Sequence, residues 1–185
     1  MIIQDSLFLT TNEQDMVEEV ILGQTPWSFN PHINFEREDK ASFKSDHDTF
    51  QFVSDLMPIE HPAHILSSEI FQAFCARNKI AWDKIIRMKT NLMTQNTNTD
   101  YHAIHVDQDF PHKVFLYYVN DADGDTVFFD EFWEKGTKVI KEDLIEQIRV
   151  KPKKGLGVVF DGLQYHCSTS PQLAGYRCVI NIDFI

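Results

Sequence analysis

The sequence predicts a mostly β protein of one domain: a jelly roll with two N-terminal helices packed on its outside. Three observations carry that expectation. From Lys84 onward, eight short segments rich in β-branched and aromatic residues follow one another between compact turn signals. Helical periodicity is confined to the chain before Lys84. Phe occurs 15 times against 7 Gly and 7 Pro, the composition of an aromatic core with few repeated turns. A chain of 185 residues matches a single domain at about 150 residues per domain and can bury a core without disulfides.

Taken in order, Thr10-Thr11-Asn12-Glu13 has the form of a capping box, with Thr10 as the cap and Glu13 reaching back. Val17, Val20, Ile21 and Leu22 then recur at helical spacing, and Gly23 is placed to end the helix. A second helix is expected over Ala63–Arg77, with Ile65, Ile70, Phe71 and Phe74 on its buried side. Residues 30–60 are polar, mixed in charge and aperiodic, which reads as a solvated surface loop or, alternatively, as a mobile flap over a site. The expected strands are Lys84–Met93, Ala103–Asp107, Lys113–Val119, Thr126–Asp130, Glu146–Val150, Leu156–Asp161, Tyr165–Ser170 and Tyr176–Phe184. Residues 1–82 are thus the helical part of the domain and residues 83–185 its jelly-roll core.

The net charge of −11 argues against general nucleic-acid binding, which needs a basic surface to neutralise phosphates. The N-terminus lacks a basic region ahead of an apolar stretch, and Asp5 interrupts that stretch, so no signal peptide is expected. No run approaches the roughly 18 apolar residues of a membrane span. Cys75, Cys167 and Cys178 are an odd count without framework spacing, which fits a reducing compartment; a cytoplasmic location is expected.

The chemistry concentrates in three places. In His105-Val106-Asp107, residues i and i+2 of a strand share a face, so a nitrogen and a carboxylate stand side by side while Ile104 and Val106 point into packing. His166, 61 residues later, opens a strand after the apolar run Val158-Val159-Phe160 and a turn, at the rim of the barrel. Two histidines and one carboxylate on one face of an iron form the facial triad of non-haem Fe(II) oxygenases, which leaves positions open for a co-substrate and dioxygen. Arg177 lies in the most apolar strand of the chain. A guanidinium there requires a partner, either an internal carboxylate or the carboxylate of a ligand held by two parallel N–H···O bonds.

In this order the elements resemble the 2-oxoglutarate- and Fe(II)-dependent dioxygenases, in particular their prolyl 4-hydroxylase-like branch and its compact bacterial and viral members. The resemblance covers roughly residues 84–185. It rests on His105-Val106-Asp107, Phe115-Leu116-Tyr117-Tyr118-Val119-Asn120, Gly124-Asp125-Thr126, Val150-Lys151-Pro152-Lys153-Lys154-Gly155, Phe160, His166 and Arg177. It implies a double-stranded β-helix with His105, Asp107 and His166 as iron ligands. Arg177 would bind the distal carboxylate of 2-oxoglutarate with the help of Tyr118, and Asn181 would touch the same co-substrate. It further implies hydroxylation of an organic substrate, in the first place a peptidyl proline, with 2-oxoglutarate decarboxylated to succinate and CO2, dioxygen consumed and ascorbate as a supporting reductant. Asp107 favours hydroxylation, because halogenating relatives lack the carboxylate. The chain departs from the pattern at Asp123-Gly124-Asp125-Thr126, where relatives often read Gly-Gly-Glu-Thr. It also lacks a tyrosine in Thr94–Asp100, where prolyl hydroxylases tend to carry one.

Three other readings stand beside this one. They are a non-enzymatic jelly-roll module for binding or virion assembly, a hydroxylase of a small molecule or nucleobase, and a cupin-like dioxygenase that keeps the metal without 2-oxoglutarate. The expected partner is a protein or peptide substrate, with a small molecule as the alternative. His102 is expected to face away from the site, His112 to be at most near substrate, and His32, His47, His61 and His64 to be structural. Cys167 reads as core, and Lys151, Lys153 and Lys154 as a solvated turn or a docking patch.

Overall fold

A computed structural model describes every residue except Phe35, Lys40, His47, Ile59, Thr99 and Lys138; the expectation for His47 therefore lies outside the described residues. The chain runs β1 (Ile3–Asp5), α1 (Thr11–Gln24), β2 (Ser28–Asn30), β3 (Gln51–Asp55), α2 (Pro62–Asn78), β4 (Ile85–Thr94), β5 (Lys113–Tyr118), β6 (Thr126–Phe132), β7 (Glu146–Val150), β8 (Gly157–Asp161), β9 (Gln164–Ser168) and β10 (Tyr176–Phe184). Among the described residues the strands form two antiparallel sheets. The major sheet has the order β1-β8-β5-β10-β4-β3-β2 and the minor sheet β7-β6-β9.

Three layers of apolar side chains follow from this arrangement. On the outer face of the major sheet, Phe115, Tyr117, Val159, Ile180 and Ile182 pack against Val17 and Ile21 of α1 and Ile70, Phe71 and Phe74 of α2. Between the sheets, Leu116, Tyr118, Phe160 and Val179 meet Phe128 and Val150. Behind the minor sheet, Val127, Phe129, Tyr165 and Cys167 pack with Ala41, Phe43, Ile104 and Val106. β10 is therefore covered on both faces, and all its residues from Arg177 to Phe184 are buried.

Helix α1 begins at the expected capping box: Glu13 N–H donates to Thr10 Oγ1 at 3.4 Å, and Thr10 N–H to Glu13 Oε2 at 2.7 Å. It runs through Gly23 to Gln24 and ends where Thr25 turns extended. Helix α2 starts on Pro62, whose missing N–H has no helical partner to lose, and ends where Lys79 adopts φ 56°. Ile65, expected on its buried side, is 53% exposed. Ala63, Ser67, Ile70, Phe71 and Phe74 define the inward stripe, and at 100° per residue position 65 falls opposite it.

Two expectations about strands need correction. Ala103–Asp107 is not a regular strand: within it only His105 makes bridge pairs, to His166 on one side and Ser42 on the other. Nor are residues 30–60 simply a solvated loop. β2 and β3 extend the major sheet beside β4, and Ala41, Ser42 and Phe43 are buried. Phe43 N–H donates to the Ile104 carbonyl and Val106 N–H to the Ala41 carbonyl, both at 2.8 Å. Lys154 is not part of a free basic patch, since its ammonium pairs with Asp15 at 2.6 Å and with Glu18, tying the turn before β8 to α1.

Candidate active site

His105 and His166 exchange both backbone hydrogen bonds, His105 N–H to the His166 carbonyl at 2.9 Å and the reverse at 3.0 Å. Residues paired in this way project their side chains to the same side, and the two imidazole centroids lie 4.6 Å apart. Each ring is held by a short local bond. His105 Nδ1–H donates to the Ala103 carbonyl at 2.9 Å and His166 Nδ1–H to the Gln164 carbonyl at 3.0 Å. A carbonyl only accepts, so Nδ1 carries a proton in both rings and Nε2 is the nitrogen left to bind a metal. Phe160 packs edge-on against His166 at 4.9 Å and fixes its ring further. Burial, reinforced by His166, pulls His105 down to about 3, so it is neutral at physiological pH.

Asp107 completes the cluster: one ligand atom each from His105, Asp107 and His166 lies within 4.8 Å of the others. Asp107 Oδ2 is 3.4 Å from His166 Nε2 and is buried without a hydrogen bond. Its other oxygen, Oδ1, accepts from Arg87 Nη2. The same Nη2 donates to Asp183 Oδ1 at 2.9 Å and Asn181 Oδ1 at 3.3 Å, while Gln108 Nε2 donates to Asp183 Oδ2 at 2.7 Å. Burial raises the Asp107 carboxyl, but the Arg87 guanidinium and then the neighbouring imidazoles more than reverse it and hold it well below the usual carboxylate range. Asp183, buried and facing Asp107, is raised.

Between the sheets the cluster opens onto a cavity with about 500 Å³ of atom-free space, whose lining includes His105, His166, Thr126, Arg177, Lys89 and Asn181. Arg177 is 4% exposed and makes no ion pair among the described residues, so the internal carboxylate considered for it is absent. Its Nη2 donates to Thr126 Oγ1 at 2.7 Å, its guanidinium lies 5.5 Å from the centre of the Tyr118 ring, and its Nε is buried without a partner. Tyr118 O–H donates to the same Thr126 oxygen at 2.7 Å. Tyr118 thus stands beside Arg177, behind the cavity wall. Asn181 lines the cavity, and its carbonyl oxygen accepts from Arg87, so it faces the His-Asp cluster.

No protein-family model matches the chain, and no curated protein matches its sequence. Solved structures do match in shape. The α-ketoglutarate-dependent epimerase SnoN of nogalamycin biosynthesis superposes with a TM-score of 0.68 at 10% identity, over 100% of this chain and 78% of that one. An oxidoreductase of the 2OG-Fe(II) oxygenase family from Burkholderia pseudomallei gives 0.63 at 12% identity, over 99% and 84%. A Trichoplax adhaerens prolyl hydroxylase, solved with a hypoxia-inducible-factor peptide fragment, gives 0.61 at 12% identity, over 100% and 83%. The chain shares the jelly-roll fold of the 2-oxoglutarate and Fe(II) oxygenases.

Within that oxygenase fold, several residues at the site escaped the sequence reading. Arg87, Lys89, Asn91 and Met93 alternate along β4 on the face that looks into the jelly roll. Arg177, Val179, Asn181 and Asp183 do the same along β10, where Arg87 is the register partner of Asp183. Arg177, Asn181 and Asp183 on one face of an otherwise apolar C-terminal strand were the available signal. Met93, in register with Arg177, accepts a weak bond from Ser168 Oγ at 3.7 Å. His102 is buried outside the cluster, with its two nitrogens 2.9 Å from the hydroxyls of Ser168 and Ser170. His61 caps α2 and His64 bonds the Leu56 carbonyl. His112 bonds the Phe110 carbonyl at 2.8 Å.

Proposed function

We propose that this protein is an Fe(II)- and 2-oxoglutarate-dependent oxygenase that hydroxylates an organic substrate, with His105, Asp107 and His166 as the metal ligands and Arg177 as the anchor for the co-substrate. One observation carries the reading. A largely buried His-His-Asp cluster and a buried arginine with no carboxylate partner among the described residues line or border the same inter-sheet cavity.

The residues fit the metal. Asp107 Oδ2 is an orphaned buried acceptor, and an ionised carboxylate in that position needs a cation. Both Nε2 atoms are left for a metal, with their rings oriented by the carbonyls of Ala103 and Gln164. Two imidazoles and one carboxylate suit Fe(II), and equally admit Mn(II), Co(II), Ni(II) or Zn(II) in a preparation without turnover. The bound iron supplies the redox chemistry that couples dioxygen to oxidation of 2-oxoglutarate and substrate.

The chain's own part is placement and exclusion of water. Arg87 occupies Asp107 Oδ1 and leaves Oδ2 for the metal. Arg177, steadied by Thr126 and Tyr118, offers its remaining N–H groups to the distal carboxylate of 2-oxoglutarate. Phe128 and Phe160 close the wall beside His166. Peptidyl proline is the first substrate we propose; its support is the sequence resemblance together with the shape match to a prolyl hydroxylase that was solved with a peptide.

The test is iron-dependent conversion of 2-oxoglutarate to succinate with Fe(II) and ascorbate, with mass spectrometry of candidate substrates for the gain of one oxygen. Asp107→Ala is expected to lose metal and turnover together. An Asp107→Ala protein with full iron occupancy and activity would overturn the ligand assignment.

A further inference from the structure

Lys89 lies on the cavity face of β4, in the middle of the strand and directly across the register from Asn181. It lines the cavity. Among the described residues its side chain makes no hydrogen bond and no ion pair. The carboxylates nearest to it in charge, Asp107 and Asp183, are both taken by Arg87. Burial pulls its pKa down to about 8, with Arg87 lowering it further and the two aspartates opposing, so it remains mostly a cation at neutral pH.

We infer that Lys89 receives a carboxylate of the prime substrate, which makes the substrate a carboxylic acid; a proline substrate would then be a C-terminal residue with a free carboxylate. The inference rests on the oxygenase reading above and narrows it. Charge balance is the first argument. Arg87 and Arg177 offset Asp107 and Asp183, and the two charges of the metal offset the two carboxylates of 2-oxoglutarate. The filled site is then neutral without Lys89, and the ammonium is the surplus charge. An unpaired cation facing a partly dry cavity gains most from an anion that enters beside it.

Position is the second argument. Arg177 stands opposite Met93 in the register, so Lys89 is four residues away along β4, about 13 Å at roughly 3.3 Å per residue. Between Lys89 and Met93 the polar lining spreads sideways onto β3: Asn91 Nδ2 donates to Gln51 Oε1 at 2.7 Å, and Gln51 Nε2 donates to the Ile33 carbonyl at 3.0 Å. Asn91, Gln51 and Ile33 line the same cavity. The lysine therefore lies beside the metal cluster, whose Asp107 is held by Arg87 one step further along the same face of β4, rather than at the arginine end where the co-substrate's distal carboxylate is anchored.

The experiment measures binding, not turnover. Wild type, Lys89→Met, Lys89→Gln and Arg177→Ala are loaded with Mn(II) and 2-oxoglutarate, and titrated calorimetrically with a series of N-acetyl amino acids and their primary amides. Wild type is expected to bind at least one acid tenfold or more tightly than its amide. Both Lys89 variants should lose that preference and keep 2-oxoglutarate affinity within about twofold, whereas Arg177→Ala loses 2-oxoglutarate affinity. No acid preferred over its amide in wild type, or a preference that survives in both Lys89 variants, overturns the inference. So does a loss of 2-oxoglutarate affinity in the Lys89 variants equal to that in Arg177→Ala, because the lysine would then serve the co-substrate. Failure of wild type to bind 2-oxoglutarate at all refutes the proposed function instead; the acid-against-amide comparison in Mn(II)-loaded protein still decides the role of Lys89.

Discussion

Replacing Arg87 with Met removes the one cation that joins two buried carboxylates. Asp107 and Asp183 have side chains 3% and 0% exposed, while the Arg87 side chain is 29% exposed. Removing one partner of a buried ion pair costs about 3–5 kcal/mol, because the other is left charged and unpaired. Arg87 retains some solvent contact, so the lower end, about 3 kcal/mol, is the expected loss in the metal-free protein. For a chain of this size each kcal/mol moves Tm by about 2–4 °C, giving a fall of about 6–12 °C. The effect has a definite sign with pH. Asp107 is held below its ordinary pKa in the folded state, so its contribution is present above pH 4 and is lost as the carboxylate is protonated in acid. Arg87→Met removes that contribution, and the gap between variant and wild type should narrow as pH falls below about 4. Asp183 is raised in the wild type; in the variant it rises further, which pushes the gap the same way. Urea unfolding at several pH values is the assay, with Arg87→Met/Asp183→Asn expected to recover part of the loss. A variant that melts within about 2 °C of wild type, or a gap that does not change with pH, would refute the account of this network.

Four further outcomes are expected. Arg177→Ala strands the distal carboxylate in a dry pocket, a loss of about 2–5 kcal/mol, or roughly 30-fold or more in 2-oxoglutarate Kd at about 1.4 kcal/mol per decade, with metal affinity intact by calorimetry. Burial, helped by Arg177, pulls His102 down to about 4. The unfolded chain therefore takes up the extra proton first, and metal-free stability should fall by up to about 3 kcal/mol as pH drops from 6.5 towards 4; His102→Gln should flatten that part of the urea-stability profile. Gly124→Ala would bring a Cβ within 2.5 Å of the Thr169 carbonyl oxygen and 2.7 Å of Pro171 N, so a loss of about 1–3 kcal/mol is expected from the crowding, read as a lowered Tm. Hydrogen exchange over residues 30–60 should slow when a true substrate joins the iron and 2-oxoglutarate complex, and equal exchange with and without it sinks the flap.

What the sequence determined by itself is what local pattern encodes. The capping box at Thr10, the β-branched and aromatic runs of β5, β8 and β10, and the turn signals between them announce a jelly roll with outer helices. The i, i+2 spacing of His105 and Asp107 put two donors on one side of an extended segment, and Arg177 was conspicuous as a charge inside an apolar strand. These features need only neighbouring residues to be recognised. The tertiary structure alone decided the rest. His105–Asp107 is no regular strand, and its geometry comes from lying between His166 and Ser42, pairings with residues far away in the chain. β3 reads as loop because its Gln51 side faces a polar cavity and not a core. Arg87, Lys89 and Asp183 look like ordinary surface charges until the register of β4 against β10 turns them inward. There burial makes each charge depend on its partner, and partners from strands about a hundred residues apart are set by the sheet, not by spacing along the sequence.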